Sequence, residues 1–213
     1  MYRRQRQMCI RDSVVGVLPD NANVVVETGP EGNDLVVTKD PIQNAEFTVT
    51  GDTGFTGKAI AKSDVSVDGN KGETTTVAVQ ATFKNTDISN DGKGALAVNV
   101  VGAAFKKGKI ESGKTSDSVS FDGNSRVVKA KVSLGKGNDS VTFAKGGQVK
   151  GKNTVDLGKG GKDAVVIEDL KNIKGTLIIR KFGKGDKVTV NGKVYTFSDR
   201  KALNKLDGIK IKG

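Results

Sequence analysis

Four short units recur in the C-terminal half of the chain at nearly constant spacing. They are Asp117-Ser-Val-Ser-Phe121, Asp139-Ser-Val-Thr-Phe143, Asp163-Ala-Val-Val-Ile167 and Asp186-Lys-Val-Thr-Val190, with successive aspartates 22, 24 and 23 residues apart. Gly-rich turns precede them, at Gly113, at Gly135-Lys-Gly137, at Gly158-Lys-Gly-Gly161 and at Gly183-Lys-Gly185. A second apolar run lies midway in each period, at 127–134, 149–157 and 173–182. Within the units apolar residues alternate, as in Val119/Phe121 and Val141/Phe143, so one face of each strand is buried and the other solvated. A unit of this length cannot bury that face alone. Successive coils stacked about 4.8 Å apart can bury it, placing like residues over like. The pattern therefore predicts an all-β chain: a β-solenoid, in form a right-handed parallel β-helix, of two-strand coils of 22–24 residues with a small C-terminal cap.

The regular coils span 113–197. Upstream, over 14–112, the repeat is looser, although Gly32-Asn-Asp34 followed by Leu35-Val-Val37 echoes Gly137-Asn-Asp139 followed by Val141. This stretch reads as irregular coils of the same solenoid, or as a small β-sandwich, since short regular strands suit both. Residues 198–213 form the cap, with Ser198 placed as an N-cap before good helix formers and an alternating last strand at 208–212. Residues 1–13 hold four Arg, the only Cys and both Met, and nothing later in the chain resembles them. The run Arg-Gln-Met-Cys-Ile-Arg-Asp-Ser resembles translated sequencing adapter of the kind found at the ends of environmental contigs. It is set apart as an artefact or leader, and upstream sequence is expected to be missing.

Composition narrows the chemistry. The chain has no His and no Trp, and Cys9 is its one cysteine. A His-based nucleophilic triad and an internal disulfide framework are therefore out of reach. The Gly158-Lys-Gly-Gly-Lys162 run lacks phosphate-loop spacing, and no helical pattern follows it. Acidic residues are spread singly over the turns without an aromatic sugar platform, so the chain reads as a non-enzyme with no catalytic residues. No stretch reaches the length of an apolar membrane helix.

At Leu134-Gly-Lys-Gly-Asn-Asp-Ser-Val-Thr-Phe143 the chain resembles the hemolysin-type, or RTX, repeat family, with its nonapeptide GGxGxDxUx. Gly135, Gly137, Asp139 and Val141 follow the motif in order, with Lys136 replacing one glycine. Residues 181–197 resemble the terminal coil of such arrays. The resemblance implies secretion without a cleaved leader, and calcium in the turns. The candidate ligands are Asp139, Asp163, Asp186 and Asp117, with Asp34 upstream. Lys136, Lys159, Lys162 and Lys184 stand in the same turns and oppose a cation, and the competing reading is that each aspartate caps its turn by accepting backbone N–H groups. Calcium is thus a candidate ligand of these turns and not a requirement.

Charge is polarised. Residues 1–105 hold 10 Lys and Arg against 13 Asp and Glu, and residues 106–213 hold 25 against 11. An acidic and a basic end suit head-to-tail self-association. The lysines of the strand face, Lys129, Lys131, Lys150, Lys152 and Lys174, suit an anionic polymer such as acidic polysaccharide or lipopolysaccharide. Alternating lysines also serve simply to keep strands apart in solution. Nucleic acid is disfavoured, because the basic half offers few aromatic rings for base stacking. The expectation is an extracellular structural or adhesive module of a bacterial surface or secreted protein, or of a phage fibre. The alternatives are a calcium-dependent RTX folding and secretion module of a larger toxin or enzyme, and a polysaccharide-degrading β-helix enzyme.

Overall fold

The structure, a computed structural model, describes residues 7–10, 14–16, 18–27 and 34–212; the side chains at 7–10, 14–16 and 34–35 lie outside the description. The chain is a β-solenoid of about seven turns. Among the described residues ten strands form one broad face, and fifteen strands form a sheet that wraps around a corner to make the other two faces. Along the broad face, strands pair in parallel from Val14–Gly16 to Lys187–Val190, each with the strand one turn away. The described strands of 14–112 therefore belong to the same parallel stack. Of the leader set apart above, Gln7–Ile10 is described, as a strand parallel to Asn23–Val26; its remaining residues lie outside the described ones.

Each coil carries the two runs read from the sequence, but the second run is bent. In the coil containing Val127, it divides into Arg126–Val128 and Lys131–Ser133. The bend is a residue in the left-handed region, here Lys129 with φ 55°. The same corner is occupied in successive coils by Asn21, Asn44, Lys62, Asn85, Lys107, Lys129 and Gly151, all with φ between 49° and 70°. The coil is thus three-sided: a broad face, a short face and a third face. Inside the corner sit Ala45, Ser63, Thr86, Ala130 and Asn153, all buried. Their polar atoms bond across coils: the Ser63 hydroxyl accepts from Ala45 N–H at 3.0 Å, and Asn153 Oδ1 accepts from Ala130 N–H at 2.8 Å. These bonds satisfy backbone groups that a bend would otherwise strand in the interior.

The core is a set of columns. Val77, Val98, Val119, Val141, Val165 and Val188 lie in register on the broad face, all buried. A string of phenylalanines runs along the axis: Phe47, Phe55, Phe83, Phe105, Phe121 and Phe143, with centroid separations of 5.2, 5.5, 6.3, 6.4 and 5.2 Å. Turn glycines stack too. A Cβ on Gly158, whose φ is 78°, would lie 1.9 Å from the carbonyl oxygen of Gly135 in the coil before, so neither the conformation nor the contact admits a side chain.

The end of the stack departs from the repeat. Lys187–Val190 and Lys193–Tyr195 form an antiparallel hairpin through Asn191-Gly192, with φ 50° and 78°, the residue pair that tight hairpins favour. Beyond it a 3₁₀ turn at Phe197–Asp199 leads into a short helix, Arg200–Leu203, that buries Leu203, and Ile209–Lys212 returns to pair with Leu177–Arg180. The helix begins slightly later than the Ser198 cap predicts. Asp199 instead accepts from both the N–H and the hydroxyl of Thr196, each at 2.8 Å. Among the described residues no helix is long and apolar enough to cross a membrane.

Phe83 is fully buried between Phe55 and Phe105. Phe83→Ala is expected to lower the unfolding free energy by about 3–5 kcal/mol, read from urea unfolding followed by circular dichroism.

Candidate functional site

The four repeat aspartates come together in one buried column at the start of the broad-face strands. Each is 2–6 % exposed. Their carboxylates do one job repeatedly: each accepts the backbone N–H of the equivalent residue one coil back. Asp117 Oδ1 takes Leu96 N–H at 2.6 Å, Asp139 Oδ1 takes Asp117 N–H at 2.7 Å, Asp163 Oδ1 takes Asp139 N–H at 2.9 Å, and Asp186 Oδ1 takes Asp163 N–H at 3.0 Å. The second oxygens of Asp117 and Asp186 accept Gly113 N–H and Gly183 N–H, closing their own turns. One oxygen, Asp139 Oδ2, is buried without a partner. Calcium takes six to eight oxygens; among the described residues no three His, Cys, Asp or Glu side chains converge as a metal cage would need. The oxygens of this column are mostly committed to backbone donors. Asp34 lies at the start of a strand, and its side chain is outside the description.

Stacked carboxylates with few countercharges must share a penalty. Burial, opposed by the bond from Asp117 N–H and reinforced by the charges of Asp163 and Asp117, pushes Asp139 up to about 7. Burial, opposed by the bond from Asp139 N–H and reinforced by Asp186, pushes Asp163 up to about 6. A carboxyl whose folded value exceeds its unfolded value is favoured when protonated.

The basic residues gather at the left-handed corner. On the short face Lys84, Lys106, Val128, Lys150 and Lys174 are register neighbours, one per coil. Lys107 and Lys129 occupy the corner itself, and Lys109 and Lys131 open the third face. Lys152 lies just past the corner in the next coil, opposite Thr176. All five lysines named from sequence thus fall on one edge of the prism; Lys129, Lys131, Lys152 and Lys174 are exposed there, and Lys150 is half-buried. Sequence reasoning passed over Lys84, Lys106, Lys107 and Lys109. The signal was present: Lys107 and Lys109 precede Lys129 and Lys131 by one 22-residue period.

Of the corner positions, those held by Asn and Gly use residues that tolerate the left-handed region. Lysine there costs roughly 1–2 kcal/mol, yet Lys62, Lys107 and Lys129 all adopt it. Gly151 leaves room in turn: the Lys129 side chain lies across it, with Cγ 3.1 Å from where a Cβ would sit.

No family model, no curated protein and no solved structure matches this chain.

The pH dependence follows from the column. Asp139 and Asp163 have raised values, so their protonation stabilises the fold as pH falls through about 7 and about 6, until the unfolded chain also protonates near 3.8. Thermal unfolding is expected to show a higher midpoint at pH 5 than at pH 8, by about 2–4 °C for each kcal/mol recovered. Asp139→Asn, which keeps the accepting oxygen and removes the charge, should flatten that dependence.

Proposed function

We propose that this chain is a non-enzymatic structural or adhesive module, displayed on a cell or virion surface or secreted, whose basic corner holds an anionic polysaccharide. The observation that carries this reading is the placement of Lys107 and Lys129 in the left-handed conformation. Asparagine fills the same corner in the coils of Asn44 and Asn85 without that strain. A residue held against its local preference at an exposed corner is the pattern of a working surface. The columns add spacing: Lys150 and Lys174 stack directly, and Lys106 stands two coils before Lys150. Cations repeated at coil spacing, about 4.8 Å, suit a rod-like polymer with regularly placed carboxylates or sulfates better than a compact ligand.

The test uses the double variant Lys107→Asn, Lys129→Asn, and alginate as the polyanion, with dextran as the neutral control. Removing both lysines should relieve corner strain and raise stability by about 1 kcal/mol or more. It should weaken alginate binding by roughly fivefold per lysine, the scale of a cation held at an anionic surface. Wild-type binding should fade as salt rises. Equal affinity for dextran, or unchanged alginate affinity in the variant, would overturn the proposal.

The calcium-dependent folding module is the second reading, favoured by Asp139 Oδ2, which is buried without a hydrogen-bond partner among the described residues. We propose instead that coil stacking alone holds the fold. Far-ultraviolet circular dichroism in millimolar calcium and then in excess chelator separates the two. An unchanged β spectrum is expected; a collapse that calcium reverses would promote the second reading.

A further inference from the structure

The third face of the prism changes sign along its length. Its first outward column reads Glu46, Asp64, Asp87, Lys109, Lys131 and Thr154, each register-paired with the next. Three acids are followed by two lysines, and the reversal falls between adjacent coils. The next outward column on the same face is mostly small: Thr48, Ser66, Ser89, Glu111 and Ser133. This leaves a flat strip beside a line of charges.

The acidic part is poorly compensated within one chain. Asp64 and Glu46 are exposed, and neither has an ion pair among the described residues. Burial, opposed by the Lys109 backbone hydrogen bond and by the Lys109 charge and reinforced by the Asp64 charge, raises Asp87 from its ordinary value. At the basic end, Lys109 is paired with Glu111 on its own strand, and Lys131 stands exposed.

We propose that the third faces of two copies of this chain pack against each other with their solenoid axes antiparallel. A two-fold axis lying between the faces, parallel to the strands and midway between the coils of Asp87 and Lys109, keeps each residue's place along the strand and reverses the order of coils. Asp87 then meets Lys109 of the second copy, and Asp64 meets its Lys131. By symmetry each pair occurs twice. The second column lies over itself, with Ser66 facing Ser133 and Ser89 facing Glu111, so small side chains meet everywhere but at Glu111. Such a self-complementary patch is what a closed dimer requires. A two-fold parallel to the solenoid axis and passing through the charged column would instead set acid against acid and lysine against lysine.

The contact is small. Five coil intervals of about 4.8 Å by four residues of about 3.3 Å give a footprint of roughly 24 by 13 Å, under the size of a standard stable interface. The pair is therefore weak, steered by charge and sensitive to salt.

Sedimentation equilibrium of the full chain at high concentration and low salt tests this, with the exposed pair Asp64 and Lys131 as the handle. Wild type should approach twice the 22.3 kDa chain mass and return to it in high salt. Asp64→Lys and Lys131→Glu should each weaken association at least tenfold. An equimolar mixture of the two variants should recover it, because the lysine introduced in one meets the glutamate introduced in the other. The double variant Asp64→Lys, Lys131→Glu should recover it alone. Circular dichroism checks that each variant keeps its β spectrum. A wild type that stays monomeric, single variants that associate as wild type does, or a mixture that fails to recover would each overturn the proposal. So would open-ended oligomers, which mark head-to-tail growth instead.

Discussion

Parallel pairing of each strand with its own equivalent one turn away is the constraint from which the rest follows. Once Val119 is paired with Val141 and Val141 with Val165, every neighbouring residue is also placed over its equivalent. Columns are then unavoidable, and their chemistry must be self-compatible. Valine and phenylalanine stack without penalty. Glycine stacks where backbones touch. Aspartate stacks only because each carboxylate is given a backbone N–H from the coil before, and the penalty that remains appears as the raised values of Asp139 and Asp163.

That column shows how a buried charge serves register. The Asp139 carboxylate bonds the N–H of Asp117, its own equivalent 22 residues earlier. A slip of one residue would leave that acceptor facing the wrong group and an acid buried without a donor, which costs far more than the bond itself contributes. Apolar columns of Val and Ile are more permissive. The polar column thus discriminates between registers that hydrophobic burial alone treats as similar.

The downstream half was legible because its strands are bounded by glycine turns and led by aspartate, so both period and alternation could be read. Residues 14–112 were harder for a physical reason. The third-face strands at Glu46 and Asp64 lie 18 residues apart, and those at Asp64 and Asp87 lie 23 apart, so no single period fits. The bend at the left-handed corner was hidden for another reason. Asn44 and Asn85 are residues a turn invites, but Lys107 and Lys129 are not, and a lysine between two apolar runs reads as one outward position of a continuous strand. The capping role of the aspartates was available as a turn reading. Its partner, an amide one coil away and not in the same turn, was not, because sequence spacing does not say which coil a carboxylate leans toward.

One coil equals one interval of sequence, and this bears on how such a chain changes length over generations. From Lys107 to Lys129 is a complete circuit that returns to the same corner. An in-frame duplication of that stretch inserts one whole turn between turns it already matches, and its amides and carbonyls meet ready partners above and below. The prism lengthens by one step while its cross-section stays the same. A single-residue insertion inside a strand has the opposite effect, since it turns every following side chain to the other face until a corner absorbs it. Recombination between coils is therefore the gentle route for this molecule, and it extends the lysine edge by one tooth each time.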